Sequence, residues 1–150
     1  MRVLSDAETG SLVVVLANAI EGARDELGRI DGAIGDGDHG INMAKGFSLA
    51  RKSYEQEPTG LQESMSNLGR ILMTKIGGSM GPLYGCFFMA FGKGLEPEID
   101  RQVFFDALCA ATTKLQQISQ AEEGDKTLLD CLMPALNAYS ESFDHDGDFT

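Results

Sequence analysis

Apolar side chains recur at helical spacing along almost the whole chain. Leu12, Leu16, Ile20, Ala23 and Leu27 mark one face of a first amphipathic helix, because residues three to four apart share a helix face. A Ser5-x-x-Glu8 capping box opens this segment, and Gly28 and Gly32 bracket its exit. Val13-Val14-Val15 has strand propensity, but the period around it is helical. Met43, Phe47, Ala50 and Tyr54 give the buried face of a second helix that starts near His39 and stops before Pro58. Thr59-x-x-Gln62 reads as another capping box, with Leu61, Met65, Leu68, Leu72 and Ile76 behind it and Gly77-Gly78 at its end.

Pro82 is a start signal for a fourth helix, since proline suits the first helical position. Leu83, Phe87, Ala90 and Phe91 lie along that helix, which ends at Gly92-Lys93-Gly94. Asp100 caps a fifth, with Val103, Phe104, Ala107, Leu108, Ala111, Leu115 and Ile118 inside. A sixth holds Leu128, Leu129, Leu132, Leu136, Tyr139 and Phe143, and Pro134 within it should kink or shorten it. No segment alternates with period two long enough for a strand, and no repeat or interior linker is visible. The pattern predicts one all-α domain over 1–143, an antiparallel bundle or barrel of about six amphipathic helices, with a polar, disordered tail over 144–150.

At 150 residues, 43% apolar and 23% charged, the chain has an ordinary globular composition and the length of one compact domain. The net charge of −11 argues against nucleic acid and against an anionic membrane surface. An acidic protein that handles phosphates needs metal ions to mediate the contact. Cys86, Cys109 and Cys131 are widely spaced within apolar segments and read as reduced core thiols. With no basic leader and no membrane-length apolar run, the cytoplasm is the expected compartment.

The chemistry concentrates in Asp31-Gly32-Ala33-Ile34-Gly35-Asp36-Gly37-Asp38-His39-Gly40-Ile41-Asn42-Met43. At ~4 Å and an effective dielectric of ~20, each pair of like charges costs about 4 kcal/mol. Carboxylates packed among glycines therefore call for something positive, and oxygen-only donors point to a hard cation, magnesium before calcium. Competing motifs fail on context. Gly35-x-Gly37-x-x-Gly40 matches a dinucleotide fingerprint and Glu55 lies twenty residues on, yet the segment before it is helical and charged instead of a buried strand. Counted from Asp36, a calcium loop would need Asp or Asn, Gly and Glu where Gly40, Ile41 and Phe47 stand. Gly124-Asp125-Lys126-Thr127 lacks the upstream glycine of a phosphate-binding P-loop.

Two later loops add to this. Gly77-Gly78-Ser79-Met80-Gly81-Pro82 feeds a helix N-terminus, whose N–H groups and positive dipole end suit an anion; the same stretch also reads as a plain helix–helix loop. Thr127 alone reads as an N-cap. His39 reads either as a capping or core residue or as a contact to phosphate or nucleotide.

Taken together, these loops resemble the L subunit, the nucleotide-binding module, of dihydroxyacetone kinases. The resemblance rests on Ile34 to Met43 with Asp31 upstream, Gly77 to Gly85, and Gly124 to Thr127, in matching order and spacing. It implies a barrel of antiparallel helices whose loops at one end hold ADP or ATP with two magnesium ions. Asp31, Asp36 and Asp38 would then be the metal ligands. His39, Gly40, Ile41 and Asn42 would lie along the nucleotide, Gly78, Ser79 and Met80 would approach its phosphates, and Thr127 and Leu128 would border the nucleoside.

The implied reaction is phosphoryl transfer to a triose held on a separate K subunit, with no covalent protein nucleophile. A phosphoryl-carrier M subunit of the phosphoenolpyruvate phosphotransferase system would recharge the nucleotide. Direct exchange of ATP in a keto-sugar kinase and a non-catalytic, nucleotide-dependent adaptor are the alternatives. A homodimer is compatible with the resemblance. Met80 stands where relatives often carry a small hydroxyl residue, which leaves backbone contacts to phosphate. The family's last two helices, which close over the nucleotide, would follow Thr150, so the expectation is a barrel with an open side.

Overall fold

A computed structural model describes residues 3–144 of the chain. The elements run β1 (Leu4–Ser5), α1 (Asp6–Thr9), α2 (Leu12–Gly22), α3 (Arg24–Asp31), α4 (His39–Gln56), α5 (Leu61–Lys75), α6 (Met80–Gly94), β2 (Glu98–Ile99), α7 (Arg101–Ser119) and α8 (Leu129–Glu141), with a 3-10 turn over Ser142–Asp144. Neighbours in sequence are neighbours in space: α2 and α3 pack on α4, α4 on α5, α5 on α6, α6 on α7 and α7 on α8. This row of antiparallel helices is the all-α architecture that the apolar periodicity implies. The expected tail from residue 144 lies, apart from the last residue of that turn, outside the described residues.

The buried stripes of α4 and α5 are the expected ones, whereas Ile118 of α7, expected inside, is exposed. Met43, Phe47 and Ala50 of α4 and Leu61, Met65, Leu68 and Leu72 of α5 are buried. They join Phe91 of α6 and Ala107 and Ala111 of α7 in one core. Fully burying a leucine, methionine or phenylalanine side chain stabilises the fold by about 1.5–3 kcal/mol.

Several expectations are corrected. The expected first helix, opened at Ser5, is three helices: α1 is a single turn, α2 ends at Gly22, Ala23 leaves helical geometry (φ −91°, ψ 1°), and α3 restarts with Asp25 and Glu26 favourably placed in its first turn. Its inward face is also rotated, with Val13 and Ala17 buried while Leu12 is exposed. Neither capping box forms. Ser5 makes no side-chain cap, and the N-cap of α5 is Gly60 instead of Thr59. The Asp6 carboxylate instead accepts the Gln62 N–H at 2.6 Å, and the Gln62 amide donates to the Leu95 carbonyl at 2.9 Å. A short antiparallel pairing, Leu4 with Ile99, adds strand structure where none was expected. Cys131 is exposed instead of in the core, and Cys86 and Cys109 are only half-buried; all three are free thiols. Helix α6 begins at Met80, two residues before Pro82, and α8 runs through Pro134 to Glu141 without being cut short.

Helices α5 and α6 approach closely because glycine lines their contact. A Cβ on Gly85 would stand 2.9 Å from the Gly69 carbonyl oxygen, and one on Gly69 would stand 2.6 Å from that of Gly85. At the far end of the row, α8 is tied to α7 by Arg101. Its guanidinium donates to the Ser142 hydroxyl at 2.8 Å and lies 4.6 Å above the Phe143 ring. The connections α3–α4, α5–α6 and α7–α8 alternate with the others, so an up-and-down row brings these three loops to one end.

Candidate functional site

Asp31 is the last residue of α3, and Asp38 immediately precedes α4. Between them the chain doubles back tightly: the Asp31 carbonyl accepts from Gly35 N–H at 2.6 Å and Ile34 N–H at 3.1 Å. Two glycines make the turn feasible. Gly37 has φ +77°, and a Cβ on Gly35 would sit 2.7 Å from the Asp31 Oδ1. The carboxylates of Asp31, Asp36 and Asp38 each bring one oxygen to within 4.8 Å of the others.

Helix capping alone does not account for these aspartates. Asp38 stands at the N-cap position but makes no capping bond. Its carboxylate accepts from the Asn42 amide at 2.6 Å, while Asp36 accepts the Asp38 N–H at 3.2 Å. The first N–H of α4, on His39, reaches the Asp31 carboxylate at a long 3.3 Å. The Asp38 carboxyl is held above its ordinary range by desolvation first and then by the charge and hydrogen bonding of Asp36, with Asp31 adding to it and Asn42 opposing. Few donors answer this crowded set of anionic oxygens, and its chemistry fits a hard divalent cation.

The second loop leaves α5 through an extended Ile76, turns at Gly78 (φ +68°) and enters α6 at Met80. The Ser79 side chain makes no cap there, and the first N–H groups of a helix have no partner within it. The third loop leads from α7 into α8, and the Thr127 hydroxyl accepts the Leu129 N–H at 3.2 Å, a local cap.

These loops share a pocket of about 260 Å³, lined by His39, Ser79, Met80, Leu83, Tyr84, Leu115, Ser119, Thr127, Leu128 and Leu129. His39, Ser79, Met80, Thr127 and Leu128 are thus brought together from three separate stretches of sequence. Gly40, Ile41, Asn42 and Gly78 do not line this pocket. Gly40 is buried where a Cβ would collide with the Arg24 carbonyl oxygen, so its small size serves the α3–α4 crossing. Ile41 is 55% exposed, and Asn42 is turned onto Asp38.

Tyr84, within the Gly77 to Gly85 stretch but given no role, and Ser119 are pocket residues that the sequence did not assign. Tyr84 stands edge-on to His39, ring centres 6.1 Å apart, and burial pushes its hydroxyl pKa up. The available signal was spacing: Tyr84 follows Met80 by four residues and Ser119 follows Leu115 by four, so each shares a helix face with another lining residue.

Residues 33–150 match the family described as the DAK2 domain. Over 114 residues the chain is 38% identical to the ADP-binding subunit DhaL of PEP-dependent dihydroxyacetone kinase 1 from Listeria innocua, covering 75% of this chain and 58% of that subunit. Over 141 residues it is 36% identical to the corresponding subunit of kinase 2 from the same organism, covering 89% and 64%. The chain therefore spans about three-fifths of these relatives' lengths. It is also 37% identical over 124 residues to a D-erythrulose kinase of Mycolicibacterium smegmatis, covering 79% of this chain and 21% of that one. The crystal structure of the C. freundii dihydroxyacetone kinase in complex with AMP-PNP and Mg2+ shares the fold, with a TM-score of 0.71 at 24% identity over 91% of this chain and 26% of that one. The chain belongs to the DAK2-domain family, with the ADP-binding subunits of dihydroxyacetone kinases among its relatives.

Proposed function

We propose that this chain is a nucleotide-binding module of a dihydroxyacetone kinase, which holds ADP or ATP with magnesium for phosphoryl transfer to a triose on a separate K subunit. The observation that carries this reading is the junction of the aspartate cluster with the three-loop pocket. His39 lines the pocket, follows Asp38 in the chain and is bonded to Asp31. A pocket of about 260 Å³ is small for a whole nucleotide, since ligand sites run to roughly 300–1,000 Å³. The nucleoside part fits the pocket, and the phosphates then extend toward the carboxylates.

In this arrangement Asp31, Asp36 and Asp38 hold the metal, two ions in the full site. Bound magnesium would neutralise charge on the phosphate oxygens as it develops. The α6 N-terminus, with Gly78, Ser79 and Met80, turns N–H groups and a positive dipole end toward the same phosphates. Gly40, Ile41 and Asn42 contribute through the backbone geometry of α4 and through the Asn42 amide on Asp38. The chain positions and screens the phosphates and supplies no covalent nucleophile.

The Listeria relatives are named as PEP-dependent, which favours recharging of bound ADP by a phosphoprotein carrier, in the cytoplasm, over exchange of free ATP. The erythrulose kinase relative favours the second reading, direct use of ATP on a keto sugar. Calorimetry with ADP tests the site. With magnesium present the wild-type chain binds ADP, and Asp38→Asn loses that binding while its helical circular dichroism persists. Equal ADP affinity in the two proteins would remove the metal-site assignment. Adding a K subunit and dihydroxyacetone, with either ATP or a phosphorylated carrier as sole donor, separates the two readings.

A further inference from the structure

The loop between α7 and α8 is held in an uncommon shape. Gln120 and Lys126 both have positive φ (54° and 60°), and Gly124 has φ +102°. For residues other than glycine the left-handed region is unfavourable and persists only where the surroundings enforce it. For Lys126 the enforcing group lies outside the pocket, in the first turn of α8. The Asp130 carboxylate accepts the Gly124 N–H through Oδ1 and the Thr127 N–H through Oδ2, each at 2.7 Å. These two bonds pin the loop on both sides of Lys126. Residues 127–129, which follow at once, form one wall of the pocket.

We propose that Asp130 is a positioning residue for the nucleotide site, acting through the loop instead of touching the ligand. It rests on the nucleotide reading above. The geometry is that of a clamp: one carboxylate fixes both ends of a four-residue segment, so Thr127 and Leu128 are presented before any ligand arrives. Backbone hydrogen bonds from Thr127 and Gly124 hold the Asp130 carboxyl below its ordinary range, so it is a charged acceptor at neutral pH, and charge-assisted bonds of this length are the stronger kind.

The test compares wild type, Asp130→Ala and Asp130→Asn by ADP calorimetry with magnesium, well below their melting temperatures. Amide hydrogen exchange at Gly124 and Thr127 is followed in the same proteins. Asp130→Ala should bind ADP about tenfold or more weakly, the scale set by losing hydrogen bonds to a charged group, with faster exchange at both amides. Asp130→Asn keeps one acceptor and should fall between. Adding Lys126→Gly to Asp130→Ala should recover part of the affinity, because glycine adopts positive φ without strain. A carboxylate acting directly on the ligand could not be rescued in that way.

Equal ADP affinity in wild type and Asp130→Ala would overturn the proposal, as would an absence of rescue. Failure of the wild-type chain itself to bind ADP would overturn the nucleotide reading and this inference with it. Should Asp130→Ala fail to fold, Asp130→Asn alone decides: unchanged affinity and unchanged exchange at Thr127 would overturn the clamp.

Discussion

The turn 32–38 and the loop 120–128 lie at the same end of the helix row, and both set aspartate against backbone N–H groups. In the α7–α8 loop one carboxylate meets two N–H groups at 2.7 Å, and its pKa falls. In the α3–α4 turn the carboxylates crowd one another, the N–H bonds stretch to 3.2–3.3 Å, and the Asp38 pKa rises. A carboxylate answered by N–H groups is architecture. A set of carboxylates left short of donors is ready for a cation. Both stretches pair aspartate with glycine, but the turn 32–38 holds three glycines and two aspartates where the loop 120–128 holds one of each.

The comparison breaks most visibly at the glycines. In the first region Gly40 seats α4 against α3, and a Cβ there would meet the backbone of Arg24 and Gly28. Gly40→Ala should destabilise the protein by about 3 kcal/mol, the upper end for overpacking against atoms that cannot move aside. In the second region Gly124 has open space but a positive φ, so Gly124→Ala should cost only about 1 kcal/mol of backbone strain. Urea unfolding of the two variants checks the order. A well-tolerated Gly40→Ala would mean that the aspartate turn is not held by the α3–α4 crossing.

Smaller effects with opposite signs come next. Without metal, Asp36→Asn removes repulsion while its amide oxygen can still accept the Asp38 N–H, so its melting temperature should rise by about 2 °C. Asp130→Asn removes an acceptor from a satisfied carboxylate and should lower the melting temperature by a similar amount. Magnesium should raise the melting temperature of wild type more than that of Asp36→Asn. Differential scanning calorimetry with and without magnesium reads all of this. A fall in Asp36→Asn without metal would show that the cluster is not under electrostatic strain.

Much of the fold was legible because helices such as α4 have one apolar face and one charged face, with Met43, Phe47 and Ala50 inward and Lys45 and Lys52 outward. The start of α2 was not legible in the same way. Leu12-Val13-Val14-Val15-Leu16 is apolar all round, so spacing could not choose the buried stripe, and Val15 ends up 62% exposed. The second capping box, Thr59-x-x-Gln62, failed for a non-local reason: Asp6, far away in sequence, caps α5. The site divides likewise. Its loops announce themselves through glycine and aspartate. Tyr84 and Ser119 sit inside helices whose patterns read as core and surface, and their spacing from Met80 and Leu115 becomes a pocket wall only once the helices are packed.

The smallest effect is a difference in pH window, and it separates the two aspartates most sharply. Asp130 has a folded pKa below the ordinary carboxylate value of about 3.9. Its ionised form therefore stabilises the fold at every pH above that value, and the contribution is lost only as pH falls through the lower, folded value. Asp38 has a folded pKa above about 3.9. Its ionisation therefore costs stability, fully so above the raised value, and the cost fades as pH falls from there to the ordinary value. In metal-free buffer near neutral pH, Asp38→Asn should melt above wild type and Asp130→Asn below it. At a pH of about 3.9 most of the Asp38→Asn difference should be gone while most of the Asp130→Asn difference remains. Melting curves across the acid range, with each variant referred to wild type at the same pH, measure the two windows. If both differences faded together, the two carboxylates would share one electrostatic environment, and the division between a cation-ready turn and a self-satisfied loop would not hold.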